Sequence, residues 1–470
     1  MLDDQEIVQR FLDTKLQVHP DVVSYIRKQG DPALIDRIIA GIPESTVVVS
    51  SQHIPGLTTV RDGMRFLTDP QVEVIRGSAD SSGSASNFED FVHLFRDRYT
   101  RLGNIIRGRN PAMPIEALSR TSRYNQQECT VIGMVGEVRT TASGNRLTDV
   151  EDPTGQISVL FNKDRPVYKD AERLLPDEVI GVRGKLSQDG RLFFADQLVR
   201  PDIPINHAPY TSPNSGKALL ISDIHVGSDT FLEKEWNRFA DWVQDSDVTY
   251  LLVAGDLVDG IGIYPNQEEE LIIKDIYEQY DVLGKMLSDL PSHLRIILSP
   301  GNHDAVRAAE PQPAISKDFA RKFPSNCIFV ENPCFLNIQG VRFLMYHGRS
   351  IDDMIGLIPG ASYAQPEQMM VEMLERRHLA LTYGKRTSLA AMRQDNLVID
   401  PIPEVLHTGH VHTSGLTRYR GVLGINAGAW QSQTAFQKQM NIHPTPARAV
   451  VLDLMSLEPQ ILDFTGKTAV

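Results

Sequence analysis

Apolar and polar positions divide the chain into three kinds of pattern. Up to about residue 45 the apolar residues recur at helical spacing, first Ile7, Val8, Phe11 and Leu12, then Val22, Val23 and Ile26, with breaks at Pro20, Gly30-Asp31-Pro32 and Pro43. This predicts a small, mainly helical domain, placed at residues 1–70. From Gln127 to Pro201 the apolar runs shorten to strand length, Thr130–Val138, Ile157–Phe161, Val179–Lys185 and Arg191–Val199, with Gly, Asp and Pro turns between them. A five-stranded β-barrel over 126–205 is expected. Beyond residue 206 five strongly apolar runs each end in a short polar motif, the pattern of buried strands in an α/β domain reaching to residue 470.

Two connecting stretches differ from these. Gly77-Ser78-Ala79-Asp80-Ser81-Ser82-Gly83-Ser84-Ala85-Ser86-Asn87 has almost nothing to bury, so 71–90 is expected to be a flexible linker. The next stretch, a basic helical connector at 91–125, holds Arg96, Arg98, Arg101, Arg107, Arg109, Arg120 and Arg123 against only Asp97 and Glu116. Two readings fit it: a solvated helix face, or contact with phosphates or a partner.

Composition narrows the classes. With 41% hydrophobic and 23% charged residues the sequence is that of an ordinary soluble protein. No apolar run reaches the roughly 18–20 residues of a membrane span, and the acidic Met1-Leu2-Asp3-Asp4 start lacks a secretory pattern, so a cytoplasmic protein is expected. The net charge of -13 argues against bulk attraction to nucleic acid and leaves room only for a local site. Cys129, Cys327 and Cys334 have neither zinc-site nor disulfide-framework spacing and read as reduced core residues.

The chemistry lies in the five motifs. They are Asp223-Ile224-His225, Gly255-Asp256-Leu257-Val258-Asp259, Gly301-Asn302-His303-Asp304, His347-Gly348 and Gly409-His410-Val411-His412. Such residues at strand ends are expected to converge on one edge of a sheet. Two residues apart on an extended segment point to one side, so Asp223 with His225, and His410 with His412, can reach a common centre. Two close divalent cations need a shared carboxylate, further imidazole, carboxylate and amide donors, and open positions, all of which the motifs supply. His207, His293, His407 and His443 fit no motif slot.

These ordered motifs resemble those of the calcineurin-like metallophosphoesterases. The resemblance implies an α/β, two-sheet phosphoesterase sandwich flanked by helices and preceded by an OB-fold barrel and the helical N-terminal domain. By position it implies Asp223, His225, Asp256 and His412 around one metal, Asp256 bridging, and Asn302, His347 and His410 completing the second. It also implies His303 as the catalytic imidazole beside the scissile phosphate and Asp304 as the residue orienting it. Double-strand-break repair nucleases of this fold carry a histidine shortly after the bridging aspartate; here Asp259 either takes over a positioning role or caps a turn.

Segments outside the motifs are similar to the small-subunit family of archaeal family-D DNA polymerases: Ser222–Ser228, Arg349-Ser350-Ile351-Asp352-Asp353, Glu375-Arg376-Arg377-His378-Leu379-Ala380 and Asn426–Thr434. That resemblance implies a manganese-supported, or otherwise Mg2+- or divalent-dependent, 3′–5′ exonuclease for proofreading, heterodimeric with a large catalytic polymerase subunit. Its implied substrate is a single-stranded or mismatched DNA 3′ end, its location is nucleoid-associated, and a sliding clamp is a further partner through the holoenzyme. Arg376, Arg377 and His378 either face the DNA backbone or form the polar face of a helix buried through Met370, Met373 and Leu374. The barrel either binds single strands, with Phe161, Phe193 and Phe194 as sparse stacking candidates, or is an interaction module. Trp430 reads as core or interface, and Gln437–His443 lacks the paired aromatics of a clamp peptide. Two competing functions stay open, a non-catalytic polymerase scaffold of the B-subunit type and a stand-alone metallophosphodiesterase.

Overall fold

The computed structural model describes residues 3–14, 16–29, 33–40, 48–49, 71–76, 87–118 and 128–466. Gly77–Ser86, the heart of the expected linker, as well as Arg120 and Arg123, lie outside the described residues. The chain divides into two compact units, Met1–Pro70 and Gln71–Val470. In the first, helices α1 (Asp4–Asp13), α2 (Pro20–Gln29) and α3 (Ala33–Ala40) bury Ile7, Phe11, Val22, Ile26, Ile35 and Ile38, and β1 (Gln17–Val18) pairs with β2 (Val48–Val49).

The second unit opens with a strand where a linker was expected. β3 (Val72–Arg76) pairs antiparallel at the edge of a sheet, an arrangement that needs backbone groups more than apolar side chains. Helix α4 (Phe88–Arg107) likewise begins before residue 91. Its start is fixed by a capping box in which Asn87 accepts from the Asp90 N–H at 2.9 Å and Asp90 accepts from the Asn87 N–H at 3.1 Å. Arg96, Arg107 and Arg109 are exposed on this stretch, but Arg98 is fully buried and Arg101 is partly buried.

β4 (Cys129–Thr140), β5 (Arg146–Asp152), β6 (Gly155–Phe161), β7 (Val179–Leu186) and β8 (Leu192–Val199) close into a barrel in the order β4-β5-β6-β8-β7. Phe161 and Phe193 fill its interior and cannot stack bases; Phe194 alone of the three is exposed.

Two six-stranded sheets follow. One runs β12 (Cys327–Phe329), β11 (Arg295–Ser299), β10 (Tyr250–Ala254), β9 (Lys217–Ile221), β18 (Arg448–Asp453), β19 (Pro459–Asp463), with β9 to β12 parallel. The other runs β16 (Gly415–Tyr419), β17 (Val422–Asn426), β15 (Val405–Thr408), β14 (Val341–Met345), β13 (Cys334–Ile338), β3, with β14, β15 and β17 parallel. Alternation along the strands explains the unbroken apolar runs, because each strand is covered on both faces. Leu220, Leu252 and Ile297 meet Leu336, Phe343, Val405 and Ile425 between the sheets. On the outer face of the first sheet Leu219, Leu251 and Leu298 pack on α5 (Glu233–Asp245) and α6 (Ile276–Ser288). On that of the second, Leu344 and Leu406 pack on α7 (Ile351–Leu357) and α8 (Pro366–Arg376). Trp430 belongs to the first of these cores. No helix among the described residues is long and apolar enough to cross a membrane.

Arg376, Arg377 and His378 are neither a DNA-facing surface nor a polar helix face. They are 1%, 4% and 0% exposed and spent on internal partners: Arg376 Nε on Glu178 Oε2 at 2.5 Å, Arg377 Nε on the Ile399 carbonyl at 2.7 Å, and His378 Nε2 on Asp395 Oδ2 at 2.9 Å. Asp395 also receives Arg98 Nε at 2.7 Å. Glu178 precedes β7 and Arg98 lies on α4, so the helix spacing that suggested an exposed face instead locks the barrel and α4 to the sandwich.

Candidate metal centre

The motifs meet where the carboxyl ends of both sheets adjoin, rather than along one edge of one sheet. β9, β10 and β11 deliver Asp223, His225, Asp256, Asn302 and His303; β14 and β15 deliver His347, His410 and His412. The local backbone is not extended. Asp223, His225, Asp256, His410 and His412 all have φ between +49° and +70°, a left-handed conformation that side chains other than glycine rarely adopt and that concentrates at functional sites. Convergence therefore comes from tight reversals just past the strand ends. Gly255, at φ +86°, leaves room that a Cβ would take 2.3 Å from His347 Nδ1, and a Cβ on Gly301 would fall 2.2 Å from Asp256 Oδ1.

Three overlapping groups could each hold a metal ion: Asp223, His225 and His412; His225, Asp256 and His303; and Asp256, His347 and His410. Asp256 joins two of them, its Oδ2 lying 3.2 Å from His347 Nε2, 3.7 Å from His225 Nε2 and 4.0 Å from His303 Nε2. His412 Nε2 lies 3.1 Å from His225 Nε2 and 3.6 Å from Asp223 Oδ1, and Asn302 Oδ1 lies 3.0 Å from His347 Nε2. Carboxylate, amide and imidazole donors without a thiolate suit a hard or borderline divalent cation.

Partners behind the imidazoles fix which nitrogen faces inward. His347 Nδ1 donates to the Ala254 carbonyl at 3.0 Å and His303 Nδ1 to the Asp259 carbonyl at 2.8 Å, leaving Nε2 of each to the centre. His225 Nδ1 meets Asp259 Oδ1 at 2.9 Å, so Asp259 positions an imidazole rather than capping a turn. Asp352 Oδ2 lies 3.2 Å from His410 Nε2, and Gln437 Nε2 lies 2.8 Å from His412 Nδ1. Asp352 and Gln437 went unrecognised in the sequence as parts of the site. The Thr434-x-x-Gln437 spacing of a capping box was legible, and helix α9 (Ala435–Gln439) uses it, but nothing in the spacing points at His412.

Asp304 has a different role from the one expected. Its Oδ2 accepts from the N–H groups of Leu257 (3.1 Å) and Gly301 (2.8 Å), and its Oδ1 from the Tyr280 hydroxyl (2.9 Å). It ties the Asp256 loop to the Asn302 loop, while His303 is oriented by Asp259. Burial, followed by repulsion from Asp256, pushes the Asp304 carboxyl up to about 7.

Charge in the centre is balanced by imidazoles. Burial acts to lower His225 and His347, but the carboxylates outweigh it: the hydrogen bond to Asp259 and the charge of Asp256 raise His225 to about 9, and Asp256 raises His347 to about 10. Asp256 itself is held well below the usual carboxylate range against the opposing effect of burial, chiefly by His347 and His303. His412 is pushed well down, by burial and then by His225.

Every donor of this centre lies within one stretch that matches a known family profile. Residues 218–415 match the family profile of the DNA polymerase alpha/epsilon B subunits. The relatives are more specific. A DNA polymerase II small subunit of Halobacterium salinarum is 42% identical over 412 residues, covering 86% of this chain and 81% of that one. Those of Archaeoglobus fulgidus (40% over 479 residues, 96% of each chain) and Methanothermobacter thermautotrophicus (41% over 476 residues, 95% and 98%) match along nearly the whole length. The chain belongs to the family of archaeal DNA polymerase II small subunits.

Proposed function

We propose that this chain is the proofreading subunit of a family-D polymerase, a 3′–5′ exonuclease built on a calcineurin-like sandwich behind an OB-fold barrel. It works with a large catalytic subunit on a single-stranded or mismatched DNA 3′ end, with the sliding clamp reached through the holoenzyme and the nucleoid as its place in the cell. The observation that carries this reading is that six donor residues, Asp223, His225, Asn302, His347, His410 and His412, crowd around Asp256, the seven together coming from five separate strand ends.

In this reading Asp223, His225, His412 and Asp256 would hold one divalent cation, and Asp256, Asn302, His347 and His410 the other, with Mn2+ the expected metal. When bound, two such cations supply a water acidic enough to attack at neutral pH and offset the charge of the phosphate. The chain's own residues do the rest. Asp256 sets the spacing of the two positions, and Asp259, Asp352 and Gln437 hold His225, His410 and His412 in register. His303 has Nδ1 engaged by the Asp259 carbonyl and Nε2 turned inward, so in its doubly protonated form, which burial disfavours and the charge of Asp256 favours, it can stabilise the phosphate and pass the Nε2 proton to the leaving oxygen.

The test is digestion of a 5′-labelled strand by the full-length protein with Mn2+, alone and with its large subunit. Stepwise loss from the 3′ end, absent in Asp256→Ala and His303→Ala, is the expected result. Metal uptake without turnover would make the chain a scaffold, and preference for small phosphodiesters over DNA would make it a stand-alone phosphodiesterase.

A further inference from the structure

Between Asp259 and Leu271 a loop is tied to the centre at its base yet carries its apolar side chains outward. The buried Gln267 donates Nε2 to the carbonyl and the carboxylate of Asp259 (2.7 and 3.0 Å) and accepts from the Ile263 N–H at 2.9 Å. Gly260 packs so closely that a Cβ there would sit 2.2 Å from the His303 carbonyl oxygen. Above these anchors Ile261, Ile263 and Tyr264 are 36%, 38% and 36% exposed. The Tyr264 ring lies 6.3 Å from the His303 imidazole, steadied by its hydroxyl on Glu270 Oε2 at 3.0 Å.

An apolar cluster held in place beside a reactive centre calls for an occupant. The neighbouring charge narrows the choice, since Glu268, Glu269 and Glu270 follow Gln267 and repel a phosphate backbone on this side. What fits is a flat, uncharged aromatic group attached to a phosphate that sits at the centre. We infer that this loop stacks the base of the terminal nucleotide of a single strand, with Tyr264 as the platform and Ile261 and Ile263 as its apolar border. The inference rests on the reading of the centre as acting on a DNA 3′ end. It gives that reading a basis for selectivity: a paired terminal base is already stacked and must leave its partner before it can reach Tyr264, whereas a frayed or mismatched one is free.

Full-length protein in Ca2+, with a single strand carrying 2-aminopurine at its 3′ terminus, tests stacking without hydrolysis. Wild type is expected to quench the probe on binding; Tyr264→Ala loses the quench and binds about tenfold more weakly, whereas Tyr264→Phe retains both. Ile261→Ser gives an intermediate loss and guards against misfolding of the alanine variant. A wild type that does not quench, or a folded Tyr264→Ala that still does, overturns the inference. Digestion in Mn2+ is read separately: no loss from the 3′ end by wild type refutes the nuclease reading, and the quenching result stands apart from it.

Discussion

Two buried polar clusters occupy the larger unit, and they balance their carboxylates in opposite ways. At the junction of barrel, α4 and sandwich, Asp395 faces Arg98, and Glu178 and Glu372 face Arg376, all within a few percent of complete burial. Guanidinium carries a permanent charge, so this network is closed. At the centre the ion-pair partners of Asp223, Asp256 and Asp259 are imidazoles, which hold their charge only by taking up protons. A cluster balanced by exchangeable protons can trade them for cations, and one balanced by arginine cannot.

The largest effect should separate the two by activity. Asp256→Ala is expected to reduce 3′-end hydrolysis by more than about a thousandfold, roughly 4 kcal/mol of barrier. In metal-free protein at neutral pH Asp256→Asn should lower the thermal midpoint only modestly, because the charge that holds His225 and His347 protonated goes with it but those imidazoles can shed their protons. At the network the order reverses. Asp395→Ala strands Arg98 and should cost about 3 kcal/mol of stability, measured by denaturant unfolding, while activity per folded molecule is preserved.

Metal comes next. Mn2+ at 100 times its dissociation constant should stabilise the protein by roughly 2.7 kcal/mol per site, a shift kept by Asp395→Ala and lost by Asp256→Ala. Calorimetry in buffers of different ionisation enthalpy should show proton release on binding at pH 7 to 8, since His225 and His347 titrate at about 9 and 10 in the metal-free form. Asp259→Asn should weaken Mn2+ by about 10- to 100-fold by releasing His225 Nδ1.

The two clusters also differ in how far the sequence discloses them. The centre's donors sit in short motifs after apolar runs; His347 alone reads as a structural histidine and Asp256 alone as a turn or cap residue, and only the five motifs in their order point to a common centre. The network is not legible in this way, since Arg98 meets Asp395 across 297 residues and Arg376 meets Glu178 across 198, and no local pattern records such a partner. Arg376 and Arg377 were thus open to misreading as surface cations. The same limit hid Asp352 and Gln437 behind the imidazoles and gave Asp304 the wrong partner, because adjacency in sequence to His303 says nothing of where its carboxylate points. The strands read well, since being covered on both faces leaves a continuous apolar run; β3 did not, as an edge strand with Val74 and Ile75 largely exposed leaves no such mark.

The smallest effect tests the comparison through its sign. His378 donates Nε2–H to Asp395 and accepts the Ala380 N–H on Nδ1 at 3.1 Å, so a second proton would break that bond. Burial, and then Arg98, lower it to about 4 against an unfolded value near 6.5. Between those values the unfolded chain holds a proton that the folded one lacks, so stability is complete above pH 6.5 and falls on acidification by up to about 1.4 kcal/mol per pH unit. Two of the centre's imidazoles, His225 and His347, run the other way, whereas His412 and His303 are lowered as His378 is. His225 and His347 are raised, so in chelator their contribution is complete below pH 6.5 and is lost as the pH climbs through about 9 and 10. Unfolding in chelator across pH 4 to 10 should therefore show two limbs. His378→Asn should shrink the acid limb, to which the lowered His407 and His412 also contribute, and leave the alkaline one; Asp256→Asn should flatten the alkaline limb, and saturating Mn2+ should suppress it by replacing the protons. A single variant that flattened both limbs would show the two clusters to be one coupled system and would break the distinction between them.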